Sequence, residues 1–349
     1  MEFKALIFCF IASILITPLV KKLAVKIGAT DQPNHRKVHK KLMPRLGGLA
    51  IFLSFIIGIL LFFPDSGYTW PVVIGSTIII ITGILDDMRE LSPKLKIAGQ
   101  LAAATVVVVG GVQVEFINLP FMEQKLEFGY LSIPITIVWI IAITNAINLI
   151  DGLDGLAAGV SAIALLTISG MAITMGNSFV VIVGFITLGS TLGFLLFNFY
   201  PAKIFMGDTG ALFLGFMIGV LSLLGFKNVT FFSFIIPIII LGVPISDTIF
   251  AIVRRFVQQK PLSSPDKSHL HHCLLRLGYS HPETVLMIYA MAALFSLAAV
   301  IFSQATMFGS VFVLFILLLL VELVVEVTGL VSQDYRPILN LVKDYRTKR

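Results

Sequence analysis

Charge is scarce in this chain. Asp, Glu, Lys and Arg make up 13% of the 349 residues, against 57% hydrophobic side chains, and a soluble domain carries roughly twice that share of charge. A water-soluble fold of this length has no interior that could hold so much apolar side chain, so the bilayer must be the main solvent. Cysteine is scarcer still. Cys9 and Cys273 stand far apart in unlike contexts, which excludes a disulfide framework or a cysteine metal site. No G-x-x-x-x-G-K-[ST] run occurs, so a P-loop is excluded. Internal repeats, low-complexity tracts and linkers are absent too, and residues 1–349 read as a single domain. The net charge of +6 does not argue for nucleic acid, because in a membrane protein the placement of basic residues carries the information.

Long apolar runs are what the chain has in place of charge. A bilayer-spanning helix needs about 20 mostly apolar residues. Eleven segments qualify: 3–20, 46–63, 70–85, 97–114, 131–150, 156–175, 178–197, 210–226, 231–252, 284–303 and 307–327. The first ends in Pro18 and Lys21-Lys22, the reverse of a cleavable signal's charge order, and reads as a retained membrane helix. The expected fold is an all-α integral membrane protein of about eleven transmembrane helices, with the N-terminus outside and the C-terminus cytoplasmic. In that orientation Lys4, Lys125 and Lys227 are the only basic residues on the outer side, a strong positive-inside bias. Gly176-Asn177 predicts a tight turn between two spans, and the alternation over 115–130 predicts a small hairpin.

Every unusual polar cluster then falls on the cytoplasmic side. These clusters are Asp31 to His39, Asp86-Asp87, Asn145 to Gly155, Phe205 to Gly210, and His269-Leu270-His271-His272. Each has an ordinary structural reading, as a helix cap, a turn or a solvated loop. Adjacent acids at a helix C-terminus, however, oppose the dipole and repel each other unless a cation relieves them. Asn145, Asn148 and Asp151 are three apart and share a helical face at the end of an apolar span, a depth at which polar groups are costly and usually functional. Three histidines within four residues beside Lys267 are hard to dismiss as a solvated loop. Carboxylates and amides supply the hard oxygens that magnesium prefers. Lys, Arg and His supply charge for phosphates, and glycine turns let backbone amides approach an anion. The set points to Mg²⁺-dependent phosphoryl transfer at a membrane surface. Zinc is not indicated.

These motifs, in this order and topology, resemble the polyprenyl-phosphate N-acetylhexosamine-1-phosphate transferase family. Within it the chain is similar to the bacterial undecaprenyl-phosphate N-acetylglucosamine-1-phosphate transferases. In the His loop, Leu270 interrupts the run of three consecutive histidines usual in the phospho-N-acetylmuramoyl-pentapeptide transferases, and no Glu follows. The Asp31-x-Pro-Asn-x-Arg-Lys-x-His39 stretch and the short C-terminus point to the teichoic-acid branch. The resemblance implies transfer of N-acetylglucosamine 1-phosphate from UDP-N-acetylglucosamine to undecaprenyl phosphate, with release of UMP, at the cytoplasmic face of the cell membrane. It implies Mg²⁺, with Mn²⁺ as an alternative, and a homodimer. By resemblance Asp208 is a direct metal ligand, and Asp86 and Asp87 form the second acidic group, beside the lipid phosphate and the metal. Asn148, Asp151 and Asp154 organise the nucleotide end, and Phe205 stacks on uracil. Lys40, His269, His271 and His272 bind phosphates. Asp247, near the inner end of the ninth span, has no assigned role.

Two rival readings make different demands. An ion-coupled transporter would hold its acids near the bilayer midplane in broken helices. A transferase of the same chemistry would act on another UDP-sugar, such as the pentapeptide substrate or another N-acetylhexosamine.

Overall fold

A computed structural model of the protein describes residues 2–31, 43–118, 125–226, 231–259, 261, 266, 268–330 and 335–340. In chain order the elements are α1 (Glu2–Ile27), β1 (Thr30–Asp31), β2 (Met43–Pro44), α2 (Gly47–Leu61), α3 (Thr69–Arg89), α4 (Pro93–Val109), β3 (Phe116–Asn118), β4 (Lys125–Glu127), α5 (Ser132–Ile150), α6 (Leu156–Thr174), α7 (Ser178–Asn198), α8 (Gly207–Gly225), α9 (Phe231–Ile240), α10 (Gly242–Val257), α11 (Leu270–Arg276), α12 (His281–Gln304) and α13 (Met307–Thr328). The chain is an all-α integral membrane protein. Among the described residues eight helices are long and apolar enough to cross a bilayer: α1, α3, α5 with its leading turn, α6, α7, α8, α12 and α13. The other expected spans are the shorter α2 and α4 and a divided pair, α9 and α10.

That division departs from the single span expected over 231–252. Pro237 lies inside α9 and Pro244 in the first turn of α10. A proline removes an N–H from the ladder and its ring crowds the preceding turn, and the helix breaks at Leu241. The predicted hairpin is present, with Phe116 opposite Glu127 and Asn118 opposite Lys125. The predicted turn is present as well: Gly176 has a φ of +70°, and Asn177 caps α7 by accepting from Val180 N at 3.2 Å.

The bundle is organised around α8, whose residues from Thr209 to Gly225 are all buried. With lipid outside, helices associate through close packing, and small residues let their backbones meet. A Cβ on Gly48 of α2 would collide with the Thr209–Gly210 backbone, and one on Gly83 of α3 would strike Thr209. Gly215 of α8 lies equally close to Thr144 of α5. These contacts press the N-terminus of α8 against the start of α2 and the last turns of α3, which is where the acids lie.

Candidate active site

Helix α3 runs on to Arg89, so Asp86 and Asp87 sit in its final turns, while α8 starts at Gly207 and carries Asp208 in its first. Gly83, one turn before Asp87, brings the two backbones into contact, and Asp87 therefore reaches the exposed N–H groups of α8. Its Oδ1 accepts from Asp208 N at 2.9 Å, and its Oδ2 accepts from Thr209 N at 3.0 Å and Thr209 Oγ1 at 2.6 Å. A helix N-terminus needs such an acceptor and favours a negative one. Asp87 is thus a cap donated by a neighbouring helix, with both oxygens engaged.

Asp86 and Asp208 share a lysine. Lys96 Nζ of α4 lies 2.7 Å from Asp86 Oδ2 and 3.0 Å from Asp208 Oδ1. The other oxygen of Asp86 accepts from Leu91 N at 2.8 Å, and Asn148 Nδ2 of α5 also donates to Asp208 Oδ1. Asp208 Oδ2 has a looser partner, Arg45 at 3.8 Å. The Arg45 guanidinium also lies 3.6 Å from Asp87 and 3.5 Å from Asp31. Burial works against its charge, but Asp87, Asp31, Asp208 and Asp151 outweigh it and hold the guanidinium above its usual range. One turn below, Gln100 and Asn145 exchange hydrogen bonds at 2.7 and 3.3 Å and clamp α4 to α5. Asn145 therefore serves packing, while Asn148 faces the acids.

Asp151 ends α5 as its C-cap. Burial first, then the charges of Asp208 and Asp87, push its carboxyl up to about 8, and a cation bound beside it would favour the charged form. Among the described residues no trio of His, Cys, Asp or Glu forms a ready-made metal cage. Magnesium rarely uses one, taking one or two carboxylates, substrate phosphates and waters. Among the described residues, the carboxyls of Asp31, Asp86, Asp87, Asp151 and Asp208 gather around the cations of Arg45 and Lys96. The excess of hard oxygen and negative charge fits a divalent cation beside Asp208 Oδ2 and Asp151.

The remaining expected site residues divide. Asp154 is engaged with other segments: its Oδ2 accepts from Ala202 N at 2.9 Å, and its N–H donates to His281 Nε2 at 2.9 Å. It ties the α5–α6 turn to the segment before α8. Phe205 is half-buried, with its backbone joined to Pro44 and Gly47 at the start of α2. Lys40 lies outside the described residues, as do His35 and His39.

The histidines come from the far side. His269 is the N-cap residue of α11, and its Nδ1 lies 2.8 Å from Asp247 Oδ2. His271 packs against Gly152, next to Asp151, where a Cβ would strike its ring. Both its nitrogens are buried without a hydrogen-bond partner. Burial, with His272 next in effect, holds it down to about 3, so it is neutral at any working pH. The His272 ring lies 4.2 Å from that of His271.

The sequence reading missed Lys96, Arg45 and the partner of Asp247. Lys96 looked like a flanking charge of the span beginning at Ile97. Its spacing of four from Gln100 was the available sign that both lie on one polar face.

The profile of glycosyl transferase family 4 matches residues 69–226, the stretch holding Asp86, Asp87, Asn148, Asp151 and Asp208. The chain is 49% identical to a probable undecaprenyl-phosphate N-acetylglucosaminyl 1-phosphate transferase of Bacillus subtilis, over 97% of this chain and 95% of the relative. The chain belongs to glycosyl transferase family 4. Other members are more distant. A decaprenyl-phosphate N-acetylglucosaminephosphotransferase of Mycolicibacterium smegmatis is 35% identical over 81% of this chain and 77% of its own. A phospho-N-acetylmuramoyl-pentapeptide-transferase of Halalkalibacterium halodurans is 30% identical over 84% of this chain and 95% of its own. In this chain Asp86, Asp87, Asp151 and Asp208 gather at helix ends and not at mid-span.

Proposed function

We propose that the chain transfers N-acetylglucosamine 1-phosphate from UDP-N-acetylglucosamine to undecaprenyl phosphate, at the cytoplasmic face of the cell membrane and with Mg²⁺. The observation that carries this is the cluster of Asp86, Asp208 and Asp151 with Lys96 and Arg45 at one end of the bundle. The likeness to the Bacillus subtilis protein over nearly the whole chain supports the sugar, and the one-sided distribution of Lys and Arg supports the face.

A lipid phosphate oxygen attacks the β-phosphorus of the nucleotide sugar, the bond to the bridging oxygen breaks, and UMP leaves with that oxygen. A phosphate monoester has a second pKa of about 6, so the nucleophile needs little help from a base. The work left to the protein is positioning and charge neutralisation. Lys96, held by Asp86, presents an ammonium at the edge of the cluster. Arg45, held by Asp31 and Asp87, presents a guanidinium on the other side of Asp208. Asn148 fixes the Asp208 carboxylate from α5. Mg²⁺ held by Asp208 and Asp151 would neutralise the diphosphate. His269 and His272 offer hydrogen bonds to phosphate oxygens, and neutral His271 lines the wall beside Gly152. On this reading the lipid-linked product begins the membrane stage of a cell-wall polymer, teichoic acid.

The test is purified protein with undecaprenyl phosphate and a panel of UDP-sugars, reading lipid-linked product. UDP-N-acetylglucosamine should be the preferred donor, and EDTA should abolish turnover. Preference for UDP-N-acetylmuramoyl-pentapeptide would overturn the sugar assignment, and full activity in EDTA would overturn the metal.

A further inference from the structure

Asp247 is a buried carboxylate whose hydrogen-bond partners among the described residues are His269 and Leu270 of the His loop. It sits on α10, and its two oxygens take different groups: Oδ2 meets His269 Nδ1 at 2.8 Å, and Oδ1 accepts from Leu270 N at 2.8 Å. His269 provides no side-chain cap to its own helix, so Asp247 caps α11 and orients the ring ahead of it at once. Two turns further along the same face of α10, Arg254 is buried too. Its Nε and Nη2 donate to Asp266 Oδ2, and its Nη1 donates to Leu330 O beyond α13. Asp266 Oδ1 in turn accepts from Ser268 N at 2.9 Å. One face of α10 therefore grips the chain on both sides of Ser268, at Asp266 and at His269–Leu270.

His271 depends on that grip. It makes no hydrogen bond of its own. Its ring lies parallel to that of His269, at 2° and 6.0 Å between centroids, and packs on Gly152. Among the described residues, the polar contacts that reach the start of its helix from outside are those at residues 266–270.

We infer that Asp247 is a positioning residue: it fixes His269 with the proton on Nδ1 and Nε2 turned outward, and it seats His271 over Gly152 beside the carboxylate cluster. Arg254 with Asp266 is the second anchor of the same device. An aspartate on one ring nitrogen sets the tautomer and leaves the other nitrogen as the functional one. The inference rests on the reading that His269 meets a phosphate of the nucleotide donor.

Asp247→Asn keeps the shape and the bond to Leu270 N but offers an amide donor to His269, reversing the tautomer. It should lower kcat/KM for UDP-N-acetylglucosamine at least tenfold with little change in melting temperature. Introduced into His269→Ala, the same change should cost less than twofold, because a residue that acts through His269 has nothing left to position. Hydrogen exchange of the 268–274 backbone supplies a readout independent of activity: Asp247→Ala should speed it, and Asp247→Glu should fall between Ala and wild type. Wild-type kcat/KM for Asp247→Asn, costs that multiply fully in the double variant, or unchanged exchange in Asp247→Ala would each overturn the inference. A wild-type protein that fails to use the sugar nucleotide would overturn the proposed function instead, and the exchange data would still judge Asp247.

Discussion

The carboxylate cluster and the histidine loop meet at Gly152 but are held in place in different ways. The acids stand on helices whose backbones touch through Gly48, Gly83 and Gly215, and Asp87 uses both oxygens to cap α8. Their positions follow from packing in the bundle core. The histidines stand on a seven-residue helix, α11, fixed by two carboxylates reaching across from α10 and residue 266. The first arrangement is rigid by construction, whereas the second hangs on a few polar contacts. Substitutions should therefore separate the two regions by whether stability and activity fall together.

The largest separation is expected between two neighbouring acids. Asp208→Asn should lower turnover by about a thousandfold, since a catalytic charge is lost, and leave the melting temperature nearly unchanged. Asp87→Asn should cost both activity and stability, the latter by about 1–3 kcal/mol, because an amide nitrogen would face an N–H of α8. Kinetics beside thermal melts in one detergent check the pair, and equal stabilities would break the distinction.

Glycine contacts come next. Gly48→Ala has no room against the α8 backbone and should destabilise by about 3 kcal/mol or more, seen as lost folded yield. The same change at Gly170, where nothing lies within reach of a Cβ, should be silent.

The histidine region should show itself in acid. Burial depresses His271 from 6.5 to about 3. Between those values the unfolded chain binds a proton that the folded one refuses, so stability is lost as pH falls below 6.5, by about 1.4 kcal/mol per unit. His271→Phe should remove that share of the acid sensitivity in melts from pH 7 to 5, and an unchanged slope would place the sensitivity elsewhere. The smallest effect belongs to Asp154→Asn. That residue holds Ala202 N, and losing the charge should weaken kcat/KM only a few fold while the Mg²⁺ requirement stays the same.

Much of this was legible in the sequence. The spans, the 115–130 hairpin and the clustering of Asp86, Asp87, Asn148, Asp151 and Asp208 follow from hydropathy, turn residues and topology. What escaped had physical reasons. Prolines are tolerated in membrane helices, so Pro237 and Pro244 did not by themselves announce the break at Leu241. A lone lysine at a span end ordinarily snorkels to the interface, and only the fold turns Lys96 inward. Asp154 carries the same motif as Asp151, yet its carboxylate serves the chain, because Ala202 arrives at it first. Asp247 could not be read because its partner, His269, lies 22 residues further along the chain, and only the fold brings the two together.

The central claim is that the cluster around Asp208 transfers a phosphoryl-sugar and not the sugar alone. The direct measurement is the fate of β-³²P in UDP-N-acetylglucosamine incubated with the purified protein and undecaprenyl phosphate. All of the transferred label is expected in the lipid diphosphate, with unlabelled UMP released in equal amount. Label retained in a released nucleoside diphosphate would mean cleavage at the sugar carbon and would contradict it.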